Sequence, residues 1–360
     1  MSQQAIIDSI AQFMGKDQSS EENFNDLALR LFAYQYKTNR PYQAYCLQQG
    51  RTPRMVKDWT QIPPVPINAF KEVTLSSHNP NEVERIFMTS GTTQGIKGKH
   101  YHPTLSVYDQ SMKLNFKQRF MNGTEKIRMG ILFPSEEEMP NSSLAHYLAL
   151  AVKEFGTEDS MYFINEWGLD IEHLVTELEQ AERAGEPYAL LGATYSLVHM
   201  LDDLEKMGRV FSLPKGSRIL DTGGFKNKSR EVTLDDFYDS LSAFLGVERK
   251  DCLNMYGMTE LSTQFYDQGN AEIPSVKSGP DWIRTRVINP LTGQKVPKGE
   301  QGVLVHCDLA NYNSVTTILT EDLGIEVEGG FLLLGRAQGA EAKGCSLALE
   351  DFIRAKKGTS

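Results

Sequence analysis

Hydroxyls, glycines and lysines crowd one short stretch of the chain, MTSGTTQGIKGKH (88–100). Thr89, Ser90, Thr92 and Thr93 bring hydroxyl groups, Gly91 and Gly95 leave backbone N–H groups accessible, and Lys97 or Lys99 adds positive charge. Such a set can cradle a polyphosphate through backbone amides, or it can be an ordinary polar turn. It is not a Walker A loop, because Gly98-Lys99 runs on into His100 rather than into Ser or Thr. A second cluster, NMYGMTEL (254–261), closes an apolar run at Tyr256 and Gly257 and then offers Thr259 and Glu260. That hydroxyl and carboxylate suit Mg²⁺ and a phosphate, and equally suit a helix cap. In DTGGF (221–225), Gly223 and Gly224 let the backbone approach a planar ring, or simply turn the chain. The carboxylates of LTEDLG (319–324) can meet ribose hydroxyls or solvent.

Other reactive residue types are less organised. Cys46, Cys252, Cys307 and Cys345 form no C-x-x-C pair, so they read as free thiols of a reducing compartment. His100 and His102 alternate as on one strand face, but no third ligand follows at metal spacing, which argues against zinc. His146 reads as an ordinary helical histidine, and Glu136 to Glu138 as a solvated charge run.

These clusters need a scaffold, and 360 residues with 40% hydrophobic and 9% aromatic content can build one. The formal net charge is −10, and no block of Lys and Arg appears, which makes a duplex nucleic-acid binder a poor first reading. There is no secretory leader pattern and no apolar run long enough to span a bilayer, so a cytoplasmic location is expected. Through about Gly50 the apolar spacing predicts helices, with Asp8 or Ser9 and Ser19 or Ser20 as N-caps. Pro63, Pro64 and Pro66 then predict an extended crossing segment. From about Glu84 to Gly257, short apolar runs (127–133, 161–164, 188–193, 218–224, 252–257) alternate with amphipathic helical stretches. That alternation predicts an α/β fold with a mostly parallel sheet flanked by helices, with ligands beyond the carboxyl ends of the strands. Turn pairs such as Asn289-Pro290 and Lys298-Gly299 predict a small antiparallel β subdomain, whose third run, GGFLLLGR, ends at Arg336. The expected divisions are a helical segment over 1–60, an α/β core over 61–270, a β subdomain over 271–336 and a short tail over 337–360.

The order of the clusters along the chain resembles the adenylate-forming superfamily, enzymes that activate carboxylates with ATP as acyl-AMP: T-S-G-T-T, then G-G-F, Y-G-x-T-E, T-x-D-x-G and G-R. The resemblance implies that Thr89 to Gly98, with Ser90, Gly91, Thr92, Thr93 and Lys97, grip the phosphates. It implies adenine beside Gly223, Gly224, Tyr256 and Gly257, the α-phosphate near Thr259 and Mg²⁺ on Glu260. Asp322 would take the ribose hydroxyls, with Arg336 close by. Gln94 and Ile96 stand where the superfamily usually has Gly and Pro. Twenty-four residues after Arg336 are too few for the superfamily's C-terminal domain and its catalytic lysine, and Lys356 and Lys357 lack the surrounding motif.

Within the superfamily, IPPVPINAFK (62–71), the loop at 89–98, TGGFK (222–226) and GRAQGAEAKGCSL (335–347) resemble the acyl-protein synthetases of bacterial bioluminescence, the LuxE family. That likeness implies ATP and Mg²⁺ as cofactors and a fatty acid as substrate. It also implies a thioester on Cys345 and an acyl reductase or other acyl-acceptor protein as partner, with neither nucleic acid nor a membrane span. A thiolate attacks a mixed anhydride readily. Lys343 is expected to lower the thiol pKa, and Gly344 to leave the segment flexible. Two rivals stand beside this reading: an acyl- or aryl-CoA ligase of the phenylacetate type, and a non-catalytic nucleotide-binding subunit of a reductase complex.

Overall fold

The computed structural model describes residues 2–16, 20–90, 95–224, 229–230 and 232–357. The chain forms two compact units. The first comprises 1–112, 258–263 and 278–360, and the second 113–257 and 264–277.

In the second unit, six strands among the described residues form one sheet. Met161–Tyr162, Arg128–Leu132, Tyr188–Ala193, Arg218–Thr222 and Cys252–Tyr256 run parallel in that order, and Phe265–Tyr266 closes the edge antiparallel. All six residues of Tyr188–Ala193 are buried, as expected of a strand covered on both faces. The predicted run 161–164 splits. Only Met161 and Tyr162 join the sheet, and Ile164 pairs with Leu169 in a separate hairpin. Helix Ile171–Ala184 starts at Asp170, whose side chain accepts from the N–H of His173, and stops at Gly185 in the left-handed conformation. Leu174, Leu178, Leu197, Leu201, Phe237 and Leu241 carry its core together with the strands, at the spacing that amphipathic helices require.

In the first unit, Ile283–Ile288, Gln301–Asp308, Thr317–Val327 and Gly330–Arg336 form an antiparallel sheet in sequence order. The polyproline segment adds Val65–Pro66 parallel to Ile318 and Leu319, so the extended crossing expected there is a sheet strand. LTEDLG lies inside the 11-residue strand Thr317–Val327. The N-terminal helices Gln3–Met14, Glu21–Thr38 and Arg40–Gln48 follow the predicted periodicity. Ser20 caps the second as expected, whereas the first is capped by Ser2, with Asp8 and Ser9 inside it. Buried Gln35 ties the second helix to the β part, donating to Asn311 O at 2.7 Å and accepting from Thr316 N at 2.9 Å. The last segment is the helix Gly339–Lys357, seated on this unit by an aromatic contact between Tyr45 and Phe352 (centroids 4.9 Å apart). No helix among the described residues is long and apolar enough to cross a membrane.

Candidate active site

In the first unit, strands Arg85–Met88 and Lys99–His102 pair in register, so the hydroxyl-rich segment is the connection of a hairpin. Its base is clasped twice: Thr89 N donates to Gly98 O at 3.0 Å, and Gly98 N donates to Thr89 Oγ1 at 3.0 Å. Ser90 and Lys97 are exposed beyond the clasp, and Gly91, Thr92, Thr93 and Gln94 lie outside the described residues. Gly98 is buried against Glu260. A β-carbon there would meet Glu260 Oε1 and Thr89 Cγ2, each at 3.2 Å, so glycine lets the clasp close beside the carboxylate without displacing either side chain.

Glu260 itself is buried, and burial pushes its carboxyl up to about 7 despite the opposing pull of Lys71 and Arg336. Residues the sequence did not single out hold this segment. Asp308 accepts from the backbone N–H of Ser262 (3.0 Å), Thr263 (2.9 Å) and Ala310 (2.9 Å), and from the Thr263 hydroxyl (2.8 Å). Asn311 donates to Glu260 O at 2.9 Å. Thr259 is fixed through its carbonyl, 3.0 Å from His100 Nδ1. His100 sits in full burial that holds its imidazole down to about 4, its other nitrogen 3.1 Å from Ser314 Oγ. His100 and His102 share a strand face, rings 4.2 Å apart.

Asp322 and Arg336 face each other across neighbouring strands, with Arg336 Nε 3.2 Å from Asp322 Oδ1. Glu321 joins them: its Oε2 lies 3.4 Å from Arg336 Nη1, and its Oε1 accepts from Asn68 Nδ2. Asn68 in turn accepts from Lys71 Nζ at 2.8 Å. The IPPVPINAFK segment thus contributes Asn68 and Lys71. Lys71 lines a cleft of about 490 Å³ that Phe70, Gly95, Ile96, Lys97 and Lys99 also line. Among the predicted positions, Thr89, Glu260, Asp322 and Arg336 therefore stand in one connected electrostatic neighbourhood of this unit.

Cys345 departs from expectation. It lies within the helix Gly339–Lys357, 5% exposed, packed against Ile288, Val303, Val305 and Leu319, with its thiol 3.6 Å from Thr320 O. Burial first, then the charge of Glu321, pushes the thiol up to about 11. Lys343, exposed on the same helix, does not lower it. Gly344 is not a hinge either: it is packed so tightly that a β-carbon would meet Pro290 at 2.9 Å. All four cysteines are free and buried.

In the second unit, the glycine pair follows strand Arg218–Thr222. Gly223 takes a φ of +81°, a backbone conformation that glycine adopts without strain, and nothing crowds Gly224. Phe225 and Lys226 of the same motif lie outside the described residues. The turn is anchored by Asp221, which accepts from Thr194 Oγ1 (2.9 Å), Tyr238 OH (2.9 Å) and Asn254 Nδ2 (2.7 Å). Thr222 Oγ1 donates to Met255 O at 2.9 Å, pinning the turn to the next strand. That strand ends at Tyr256, which packs on Phe265, and at exposed Gly257. Both pairs stand at carboxyl ends of parallel strands, the usual ligand end of such a sheet. At the start of helix Ser143–Phe155, His146 Nδ1 lies 2.7 Å from Glu136 Oε1, so Glu136 holds a side chain rather than only facing solvent.

Comparisons with known proteins agree with this architecture. The chain is 25% identical over 361 residues to the long-chain-fatty-acid--luciferin-component ligase of Vibrio harveyi, covering 96% of this chain and 93% of that protein. The protein of the same name from Aliivibrio fischeri is 22% identical, with 95% and 93% covered. Among solved structures, an open conformation of 2-hydroxyisobutyryl-CoA ligase with 2-HIB-AMP and CoA matches at TM-score 0.62 and 14% identity, over 88% of this chain and 75% of that one. ATP-bound MatB from Rhodopseudomonas palustris matches at TM-score 0.51 and 18% identity, over 72% of this chain and only 49% of its own. These two likenesses establish the fold as that of adenylate-forming enzymes. The family described as "Acyl-protein synthetase, LuxE" matches residues 3–353, nearly the whole sequence, and the chain therefore belongs to that family of ligases.

Proposed function

We propose that this ligase activates a long-chain carboxylic acid with ATP, forming acyl-AMP, and then takes the acyl group onto Cys345 as a thioester for delivery to an acyl-acceptor protein such as an acyl reductase. The observation that carries the reading is the family match over 3–353, joined to the Thr89–Gly98 clasp beside Glu260.

A carboxylate oxygen attacks the α-phosphorus and pyrophosphate leaves, a step governed by positioning and charge stabilisation. In the first unit, Thr89, Ser90 and the segment through Gly91, Thr92, Thr93 and Lys97 receive the phosphates, and Thr259 approaches the α-phosphate. Asp322, braced by Arg336, accepts hydrogen bonds from the ribose hydroxyls. In the second unit, Gly223, Gly224, Tyr256 and Gly257 take adenine. A buried carboxylate next to a phosphate-binding segment suits Mg²⁺, which keeps one or two carboxylates and fills its remaining positions with water and phosphate oxygens. Glu260 would hold that ion, whose charge when bound would offset that of the triphosphate.

In the second step the Cys345 thiolate attacks the acyl carbonyl and AMP departs, the thiol proton passing to solvent. The sheltered thiol of the helix Gly339–Lys357 must first emerge, since a thiol held near pKa 11 is almost wholly protonated at neutral pH. The test is incubation with ATP, Mg²⁺ and labelled fatty acids of graded length, followed by a search for protein label released by hydroxylamine. Cys345→Ser should abolish the label while acid-dependent ATP–pyrophosphate exchange persists, and Glu260→Gln should depress the exchange itself. Label surviving in Cys345→Ser removes the acyl-cysteine role, and release of acyl-CoA on adding CoA, with no protein label, makes the chain a CoA ligase instead.

A further inference from the structure

Glu321 occupies an unusual place in the first unit. Val65–Pro66 lies parallel to Ile318–Leu319, and Ile67 N donates to Leu319 O at 2.9 Å, so the next residue, Asn68, is delivered beside Glu321. One carboxylate oxygen of Glu321 then accepts from Asn68 Nδ2, and the other lies 3.4 Å from Arg336 Nη1. Behind Asn68 stands Lys71, its ammonium 2.8 Å from Asn68 Oδ1, at the edge of the cleft lined by Gly95, Ile96 and Lys97. Behind Arg336 stands Asp322 at 3.2 Å. A long ammonium stem has high rotamer entropy, and an amide acceptor that is itself fixed restricts it.

We propose that Glu321 is a positioning residue for the activation step: through Asn68 it sets Lys71 as a phosphate-binding cation of the cleft, and through Arg336 it sets Asp322 for the ribose. This rests on the reading that the cleft side receives phosphates and Asp322 receives ribose. The two oxygens of one carboxylate divide the nucleotide between them, so the two arms can be cut separately. In Asn68→Ala the acceptor for Lys71 is lost while the Arg336 arm stays whole. In Glu321→Gln the amide oxygen still accepts from Asn68, but an NH₂ group is turned on Arg336 and that arm breaks.

The experiment is equilibrium binding of inorganic pyrophosphate with Mg²⁺, and separately of AMP, to the full chain and to both variants, with thermal unfolding as a folding control. Asn68→Ala should weaken pyrophosphate about ten-fold and leave AMP within two-fold, while Glu321→Gln should weaken AMP about five-fold and leave pyrophosphate within two-fold, the net size of one ordinary hydrogen bond in each case. In acid-dependent exchange, both should raise the KM for ATP more than they lower kcat. Equal loss of both ligands in either variant, no loss in both, or a wild-type chain that binds neither ligand overturns the proposal. A wild-type chain that binds both ligands with this crossed pattern but never exchanges pyrophosphate leaves the proposal standing and removes the acid-activating function instead.

Discussion

Each unit holds a buried aspartate that gathers several donors, and two of these, Asp221 and Asp308, work differently. In the second unit, Asp221 gathers side chains: the hydroxyls of Thr194 and Tyr238 and the amide of Asn254. In the first unit, Asp308 gathers mostly backbone, the N–H groups of Ser262, Thr263 and Ala310, along with one hydroxyl. Burial raises the pKa of both, to about 6 for Asp308. A hydroxyl can rotate and become an acceptor, whereas a backbone N–H can only donate. The Asp221 hub therefore tolerates a change of partner chemistry, and the Asp308 hub does not. The rigid one holds the irregular segment that carries Thr259 and Glu260, where no regular ladder does the positioning.

Asparagine at each position separates the two hubs. Asp308→Asn should cost about 3 kcal/mol in denaturant unfolding, since an NH₂ group would face fixed N–H donors, and acid-dependent pyrophosphate exchange should fall with it. A destabilisation no larger than that of Asp221→Asn would erase the distinction. Acid should produce the next effect, again in the first unit. His100 and His306 are buried, which holds them down to about 4 and about 3. Above about pH 6.5 both are neutral in the folded and the unfolded chain, and stability is whole. As the pH falls below that, the unfolded chain takes up protons that the fold refuses, so the contribution of the two histidines declines until the folded imidazoles titrate, against the opposite contribution of Glu260 and Asp308, whose raised carboxyls take up protons first in the fold. His306→Gln should flatten the fall between pH 6.5 and 4, and an unchanged slope would place the acid sensitivity elsewhere. Asp221→Asn should cost only about 1 kcal/mol, because Thr194 and Tyr238 can turn their hydroxyls. The smallest change is expected from Gly98→Ala, about 1 kcal/mol or less in stability, with Thr89 and Glu260 giving way by a few tenths of an ångström. A markedly larger loss would show that the clasp cannot move.

Much of the second unit is legible in the sequence, because a strand buried on both faces and an amphipathic helix have periods that composition reveals. YALLGA and IEHLVTELEQAERA are occupied by the strand and helix read from them. The first unit is harder. Thr317–Val327 carries the site carboxylates on a strand, and its run of Thr, Glu, Asp and Gly imitates a turn. Asp308 and Asn311 hold residues some 45 to 50 positions earlier, a relation made only by folding. Cys345 could be picked out by its neighbours in K-G-C-S, but its burial could not, since that depends on the helix Gly339–Lys357 lying against Ile288 and Val303. The motif order pointed to the fold, while the spacing of single residues said little about which side chains steady the site.

Gly344 gives that helix its seat. With no side chain, it lets the helix rest directly on Pro290, at a distance a single β-carbon would violate. One methyl group placed there acts as a wedge, and the neighbouring sulfur rides on whatever the wedge lifts. The depth at which the thiol is stored thus depends on a missing atom as well as on the thiol's contact with Thr320 O. Such a seat can be loosened or tightened by substitution without altering the chemistry of the cysteine itself.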